Sequence, residues 1–161
     1  MTFDTDELEA IALGISMVRQ WTDKSFADKA GNAFDKIQAV SPTNLQDELK
    51  QISTYSMRQP ALVPWTVSFS EIRENIRLRR KVHIVYQDDS GSRTSRTIRP
   101  LALIFCSPIW LLANWCEKRN DFRHFRLDRI IELHSDETVF VDEKDKNLDA
   151  YLTMESACRI G

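Results

Sequence analysis

The segment VHIVYQDDSGSRTSRTIR, residues 82–99, decides the fold. Val82, Ile84 and Tyr86 fall on alternate positions, as the apolar face of a strand does. The middle of the segment holds two Asp, two Ser and a Gly, which is typical of a tight turn. The last seven residues have the pattern of the return strand, and we expect that strand to end at Pro100. The segment therefore predicts a β-hairpin.

Further strands are predicted after the hairpin. One covers residues 109–116, and a polar turn over 117–121 follows it. Residues 122–129 and 130–134 are predicted as further strand, with a bend near 128–131. Short sequential strands joined by tight turns favour a small antiparallel barrel or a strongly coiled sheet.

Helical periodicity dominates the chain before the hairpin. Apolar residues at helical spacing predict helices over residues 4–19, 25–40, 45–52 and 69–79. Residues 56–64 hold two prolines and little periodicity, so they are predicted to be an irregular connector. Helices this short depend on packing of their apolar faces, which predicts a small helical bundle.

Composition and motifs limit the function classes. The 161 residues are 42% hydrophobic and 29% charged, with no apolar run near the roughly 18 residues that span a bilayer. The acidic N-terminus does not resemble a secretory signal, which favours a cytoplasmic protein. Cys106, Cys116 and Cys158 form no C-x-x-C pair, and we expect free thiols. Because metal-ligand spacing, phosphate loops and nucleophile motifs are absent from the sequence, we expect no metal, no cofactor and no enzymatic activity.

Basic charge concentrates in the middle of the chain. Residues 71–130 hold 13 Lys+Arg against 7 Asp+Glu, and the rest of the chain holds 9 against 17. Eleven of those 13 residues are arginine, whose planar guanidinium suits phosphate and stacks on bases. Composition leaves two interpretations open. The arginines form an anion-binding face, or their stems cover a small barrel while their heads stay solvated.

Residues 72–140 closely resemble the WYL domain of bacterial transcriptional regulators. The resemblance rests on five segments, of which the last, RNDFRHFRLDRI, is the most specific: residues 72–76, 84–86, 96–101, 110–112 and 119–130. The tripeptide that gives the family its name has the sequence Trp-Leu-Leu here instead of Trp-Tyr-Leu. Residues 3–45 resemble the helical segment that precedes this domain in the family, and the usual N-terminal helix-turn-helix is missing.

The resemblance implies an α+β fold, with an N-terminal helical segment followed by a small antiparallel Sm/SH3-like β-barrel. It divides the chain into a helical linker and dimerisation segment (1–62), a WYL domain (68–141) and a C-terminal tail (142–161). It further implies an effector-sensing, ligand-binding domain that forms a homodimer. The effector class is a nucleotide or single-stranded nucleic acid, and promoter DNA is reached only through the absent helix-turn-helix. The alternative is a non-catalytic dimerisation or protein-interaction scaffold.

The predicted binding residues combine arginines, which hold anions through paired hydrogen bonds, with aromatic rings, which stack on bases. They are Tyr86, Arg99, Trp110, Arg119, Arg123, Arg126 and Arg129. In a continuous strand, Arg123 and Arg129 share the core-facing side with Phe125, and Arg126 points away from it. Core packing is the alternative for both aromatic residues, and pairing with Asp128 is the alternative for Arg129.

Overall fold

The computed structural model of the chain describes residues 2–52, 54–57 and 65–154. It divides into two compact units, Met1–Ala61 and Leu62–Gly161. Among the described residues, no helix is long and apolar enough to cross a membrane. Much of the predicted proline-containing connector lies outside the described residues, so its irregular structure remains a prediction.

The described residues of the first unit form three helices, α1 (Thr5–Trp21), α2 (Lys24–Val40) and α3 (Thr43–Leu49). The start of α1 shows why its position could be predicted. The Asp4 carboxylate accepts a hydrogen bond from the backbone N–H of Glu7 at 2.8 Å. The Glu7 carboxylate accepts one from the backbone N–H of Asp4 at 2.9 Å. This reciprocal capping box satisfies donors that a helix start otherwise leaves unpaired.

The described residues of the second unit form a five-stranded antiparallel sheet, two α-helices and one turn of 3-10 helix. Its elements in chain order are α4 (Phe69–Arg77), β1 (Arg80–Gln87), β2 (Arg93–Cys106), β3 (Ile109–Cys116), β4 (Asp121–Arg126), β5 (Ile130–Val139) and α5 (Leu148–Met154). The strand order is β4-β3-β2-β1-β5. The predicted α+β class with an antiparallel sheet is confirmed. Strands β4 and β5 are the edges of that order, so backbone pairing between described strands does not close the sheet into a barrel.

Strand β2 does not end at Pro100, as the hairpin pattern predicted, but continues to Cys106. Its register with β3 shifts between Pro100 and Ala102. Proline has no N–H to give to a ladder, and a bulge at this point lets the strand bend and continue. The first half of β2 therefore pairs with β1, and the second half pairs with β3.

The predicted strand over residues 122–129 is also interrupted. β4 ends at Arg126, and Leu127–Arg129 form a single turn of 3-10 helix before β5 begins. The Asp128 carboxylate holds this turn, because it accepts hydrogen bonds from Nε and Nη2 of Arg126 at 3.1 and 2.7 Å. Strand alternation therefore cannot be extended from β4 to Arg129, so it does not predict the face from which that side chain projects.

The sheet curls on itself. Tyr86 on β1 and Phe125 on β4 have ring centroids 4.8 Å apart, although β2 and β3 lie between their strands in the sheet order. The side of the sheet on which these two rings meet is called the concave face below. Its core includes buried apolar side chains from all five strands, among them Val82, Ile98, Leu112, Phe125 and Leu133.

The cysteines differ from the expectation of three free thiols. Cys116 is a buried free thiol, as expected. Cys106 is disulfide-bonded, so the expectation is wrong for this residue. Cys158 lies outside the described residues.

Candidate ligand-binding site

The pairing of β1 with β2 brings an arginine onto the concave face. Ile84 is paired with Arg96, and Tyr86 is paired with Thr94. Directly paired residues in an antiparallel ladder project from the same side of the sheet. Because Ile84 and Tyr86 belong to the concave face, Arg96 projects from that face too.

The other arm of the sheet contributes an asparagine and a second arginine to the same face. Asn114 on β3 is paired with Arg123 on β4, and Leu112 is paired with Phe125. Side chains two positions apart on a strand share a face, so Asn114 and Arg123 lie beside Leu112 and Phe125. In such a pair the Cβ atoms are about 5 Å apart, which makes Asn114 and Arg123 direct neighbours.

Three polar groups on the concave face retain hydrogen-bonding capacity. Asn114 is 0% exposed, and its Nδ2 donates to the carbonyl of Leu112 at 3.0 Å. Among the described residues, neither its Oδ1 nor the buried Nη1 of Arg96 has a hydrogen-bond partner. The Arg123 side chain is 49% exposed, and its nearest carboxylate oxygen, on Asp121, is 3.7 Å away. Arg123 is the accessible group of the three, and it can receive an anion without breaking a close ion pair.

Two further arginines lie where the 3-10 turn meets the β1–β2 hairpin. Arg126 pairs with Asp128, and Arg129 pairs with Asp89 of the hairpin turn. The hydrogen bond to Asp128 raises the pKa of Arg126, and the partial burial of the guanidinium opposes this shift. An anion that binds here must compete with a carboxylate for each guanidinium, since both ion pairs are already formed.

Part of this chain matches a known protein family and known proteins. The family model of the WYL domain matches residues 68–135. This match assigns residues 68–135 to the WYL domain. The DNA-binding transcriptional repressor CapW of Escherichia coli (strain KTE188) is 38% identical to this chain over 66 residues, which is 39% of this chain and 21% of the repressor. A second Escherichia coli CapW matches with the same figures. The chain thus matches about a fifth of the length of these curated relatives.

Among solved structures, the proteasome accessory factor B/C (PafBC) of Arthrobacter aurescens resembles this chain with a TM-score of 0.42 and 19% sequence identity. That match covers 85% of this chain and 21% of the other. The WYL assignment therefore rests on the sequence match to the family and to CapW.

Arg99 of the WYL domain does not join the concave face. It lies between Ile98 and Pro100, whose side chains project from that face, so Arg99 projects from the opposite one. Its Nε donates to Glu117 at 3.1 Å and its Nη1 donates to Glu143 at 2.6 Å. Burial lowers the pKa of Arg99, but the hydrogen bonds to Glu143 and Glu117 outweigh it, and the net pKa is raised.

The acidic segment that follows β5 is held to the sheet by this contact. The hydrogen bonds from Arg99 and then Lys146 lower the pKa of Glu143 to about 2. The Arg99 guanidinium also lies 5.8 Å from the ring centroid of Phe140. Arg99 therefore holds the segment after β5 against the sheet. We call the ion pair between Arg99 and Glu143 the Arg99–Glu143 tie.

The remaining two predicted residues are Trp110 and Arg119. The Trp110 ring packs edge-on against Phe69 of α4, with centroids 5.0 Å apart. This geometry matches the core-packing alternative. Arg119 lies exposed in the turn between β3 and β4. The turn that holds Arg119 precedes β4, whereas the 3-10 turn follows Arg126 at the other end of that strand, so the two are far apart.

The structure also shows two concave-face residues, Arg96 and Asn114, that were not among the predicted binding residues. Arg96 lies inside a segment that carries the family resemblance. The sequence alone does not show that part of its guanidinium is buried. Asn114 is the one polar residue in IWLLANWC, residues 109–116. A single amide in a strand buried on both faces was the available signal, because buried polar groups require partners.

Proposed function

We propose that this chain is the effector-sensing part of a bacterial transcriptional regulator, and that its effector is a nucleotide or a single-stranded nucleic acid. One observation carries the proposal. A half-exposed arginine, Arg123, lies beside the Tyr86–Phe125 ring pair on the concave face. Guanidinium groups hold phosphate through charge-assisted hydrogen bonds, and aromatic rings stack on bases. Phosphate and base are the two halves of a nucleotide.

The regulatory part of the proposal extends the role of CapW, a DNA-binding transcriptional repressor, to this chain. Residues 1–70 hold 6 Lys+Arg against 9 Asp+Glu, a balance that a duplex phosphate backbone repels. We therefore expect promoter contact to require another module, and these 161 residues alone to show no sequence-selective duplex binding in a gel-shift assay.

The direct test measures binding of a short mixed-sequence single-stranded oligonucleotide over a range of salt concentrations. Phosphate contacts release counterions, so log affinity should fall linearly with log salt, by about 0.7 per phosphate contacted on a single strand. A duplex of the same sequence is the matched control and should bind more weakly. The proposal would be contradicted if the single strand did not bind at low salt, or if its affinity did not depend on the salt concentration.

The scaffold alternative rests on the first unit. Among its described residues, α1 buries Leu8 and α2 buries Gly31, while Ile11, Ile15 and Phe34 stay only half buried. Apolar helix faces of this kind support self-association. We propose that the unit forms the homodimer contact, and sedimentation at tens of micromolar, roughly the concentration at which a specific interface assembles, tests it. A monomer at that concentration would count against it.

A further inference from the structure

We infer that the three-helix unit binds a small carboxylic acid, whose apolar body lies in a cavity beside α1 and whose carboxylate pairs with Arg19. The cavity belongs to a different unit from the concave face, so the inference does not depend on nucleotide binding. The first unit therefore has a ligand of its own, in addition to the proposed homodimer contact.

The cavity is lined by residues of all three helices and of segment 54–57, and its volume is about 530 Å³. Small-molecule sites typically have volumes of roughly 300–1,000 Å³ and are mainly apolar, with a few polar groups that orient the ligand. The lining has this character. Its apolar side chains are Ala12, Ile15, Phe34, Leu49, Ile52 and Met57.

The helices bury little of their own apolar surface. Among the described residues of α1 and α2, Leu8 and Gly31 alone are buried. Ile15 and Phe34 line the cavity and stay only half buried. A ligand with an apolar body removes this surface from water, and that removal favours binding.

Segment 54–57 forms one wall of the cavity and is held against α1 by hydrogen bonds. The backbone N–H of Ser56 donates to Ser16 Oγ at 2.9 Å, and Trp21 Nε1 donates to Ser56 Oγ at 2.9 Å. Thr54 Oγ1 donates to the Glu9 carboxylate at 2.6 Å. Because the wall is already in place, a ligand does not have to order it, and the entropic cost of binding is smaller.

Arg19 is the one charged residue among the described residues that line the cavity. It forms no ion pair with a carboxylate of the described residues. Its guanidinium lies against α2 at Gly31, where an added Cβ would be 2.7 Å from Nη2 of Arg19. Glycine at this position therefore makes room for the guanidinium beside the cavity.

The chemistry of the lining selects a monocarboxylate. A guanidinium holds a carboxylate through two parallel hydrogen bonds, and a carboxylic acid is ionised at neutral pH. No carboxylate occurs among the described lining residues, so an amine has no counter-charge there. An apolar helix face of a second copy is the competing occupant. It would cover Arg19 without supplying an anion, which is unfavourable for a charged group.

The experiment titrates the full 161-residue chain with octanoate, decanoate and decan-1-ol in a calorimeter. Decanoate should bind one molecule per chain and about tenfold more tightly than octanoate, because it buries two more methylene groups. Arg19→Met should weaken decanoate by about tenfold or more, the scale of a lost hydrogen bond to a charged group, and leave decan-1-ol unchanged. Lys36→Met is the matched control, because Lys36 is exposed on α2 and does not line the cavity.

A second variant tests the cavity without changing its charge. Ala12→Leu places a larger side chain on the lining and should weaken decanoate and decan-1-ol alike. Ala10→Leu is its control, since Ala10 is exposed on the same helix and does not line the cavity. Leucine favours helices nearly as well as alanine, so both variants should keep the helical circular dichroism signal. If Ala12→Leu does not fold, the comparison of Arg19→Met with Lys36→Met decides.

Four results would overturn the inference. Decanoate does not bind, or Lys36→Met weakens it as much as Arg19→Met does. Arg19→Met weakens decan-1-ol equally, which would make Arg19 structural. Ala12→Leu leaves decanoate binding unchanged but converts a wild-type dimer into a monomer in sedimentation, because the cavity then holds a second copy.

The concave face provides a further control. Arg123→Ala should leave decanoate affinity unchanged, since Arg123 belongs to the other unit. A loss of decanoate binding in this variant would place the acid on the concave face and overturn the inference. Oligonucleotide binding by the same chain tests the proposed function separately, so either idea can fail while the other holds.

Discussion

The two faces of the sheet use arginine in opposite ways. On one face, Arg99 has a side chain only 15% exposed and is held by Glu117 and Glu143 at 3.1 and 2.6 Å. On the concave face, Arg123 is 49% exposed and its nearest carboxylate oxygen is 3.7 Å away. Both residues belong to the same basic stretch and to the same family resemblance. The difference teaches that close carboxylate partners, and not residue type, separate a structural arginine from one that is available to a ligand.

The largest effect should come from breaking the Arg99–Glu143 tie. Arg99→Met removes two charge-assisted hydrogen bonds from a mostly buried position. Glu117 and Glu143 keep Lys81 and Lys146 as partners, at 2.6 and 2.9 Å, so neither carboxylate is left unpaired. We expect the free energy of unfolding to fall by about 2–3 kcal/mol, measured by urea denaturation.

Oligonucleotide affinity should change little in Arg99→Met, because the tie lies on the face away from Tyr86 and Arg123. A variant of unchanged stability that has lost binding would reverse the roles assigned to the two faces.

Arg123→Ala should show the reverse pattern. The guanidinium is half exposed and distant from its carboxylate neighbour, so we expect the melting temperature to remain nearly unchanged. Affinity for the oligonucleotide should weaken by about 1.5–3 kcal/mol, the scale of a lost hydrogen bond to a charged group. Loss of folding with intact affinity in the folded remainder would make Arg123 structural.

The Arg99–Glu143 tie should also make the free energy of unfolding depend on pH in the acid range. Hydrogen bonds from Arg99 and Lys146 lower the pKa of Glu143 from 4.5 to about 2. The unfolded chain therefore binds more protons between these values, so this stabilisation is complete above pH 4.5 and is lost as the pH falls towards 2. In Glu143→Gln, unfolding measured across this range should show a shallower loss of stability. The same slope in variant and wild type would mean that the tie does not form in solution.

The smallest effect concerns the ion pair between Arg129 and the β1–β2 hairpin turn. Asp89 is 82% exposed and pairs with Arg129 across the hairpin turn. Exposed pairs contribute about 0–1 kcal/mol, so Asp89→Asn should leave the melting temperature unchanged. Removing the competing carboxylate should strengthen oligonucleotide binding a few-fold at low salt, an effect of about 1 kcal/mol or less. Weaker binding would show that Asp89 itself contacts the ligand or positions Arg129 for it.

Local patterns predicted the elements well where the controlling interactions are local. The strand predicted over residues 109–116 is β3, because an apolar run between two turns fixes both of its ends. Pro100 misled the prediction for β2, since a bulge opposite β3 accommodates the missing N–H. The 3-10 turn depends on the contact between Arg126 and Asp128, which strand alternation cannot anticipate.

The arginine partners could not be predicted for a different reason. Glu143 is 44 residues away from Arg99 in the chain, and only the folded sheet brings the two together. The Tyr86–Phe125 contact is equally non-local, and it is the contact that reveals the curl of the sheet. The sequence therefore predicted which residue types could bind an anion, while the fold determined which of them have open positions.

The dependence of oligonucleotide affinity on salt, measured side by side for the wild type and Arg123→Ala, tests the central claim most directly. If Arg123 contacts a phosphate from the concave face, the slope of log affinity against log salt should become shallower by about 0.7, the value for one phosphate on a single strand. An identical slope in the two proteins, with Arg99→Met showing the shallower slope instead, would place the anion site on the opposite face and contradict the account.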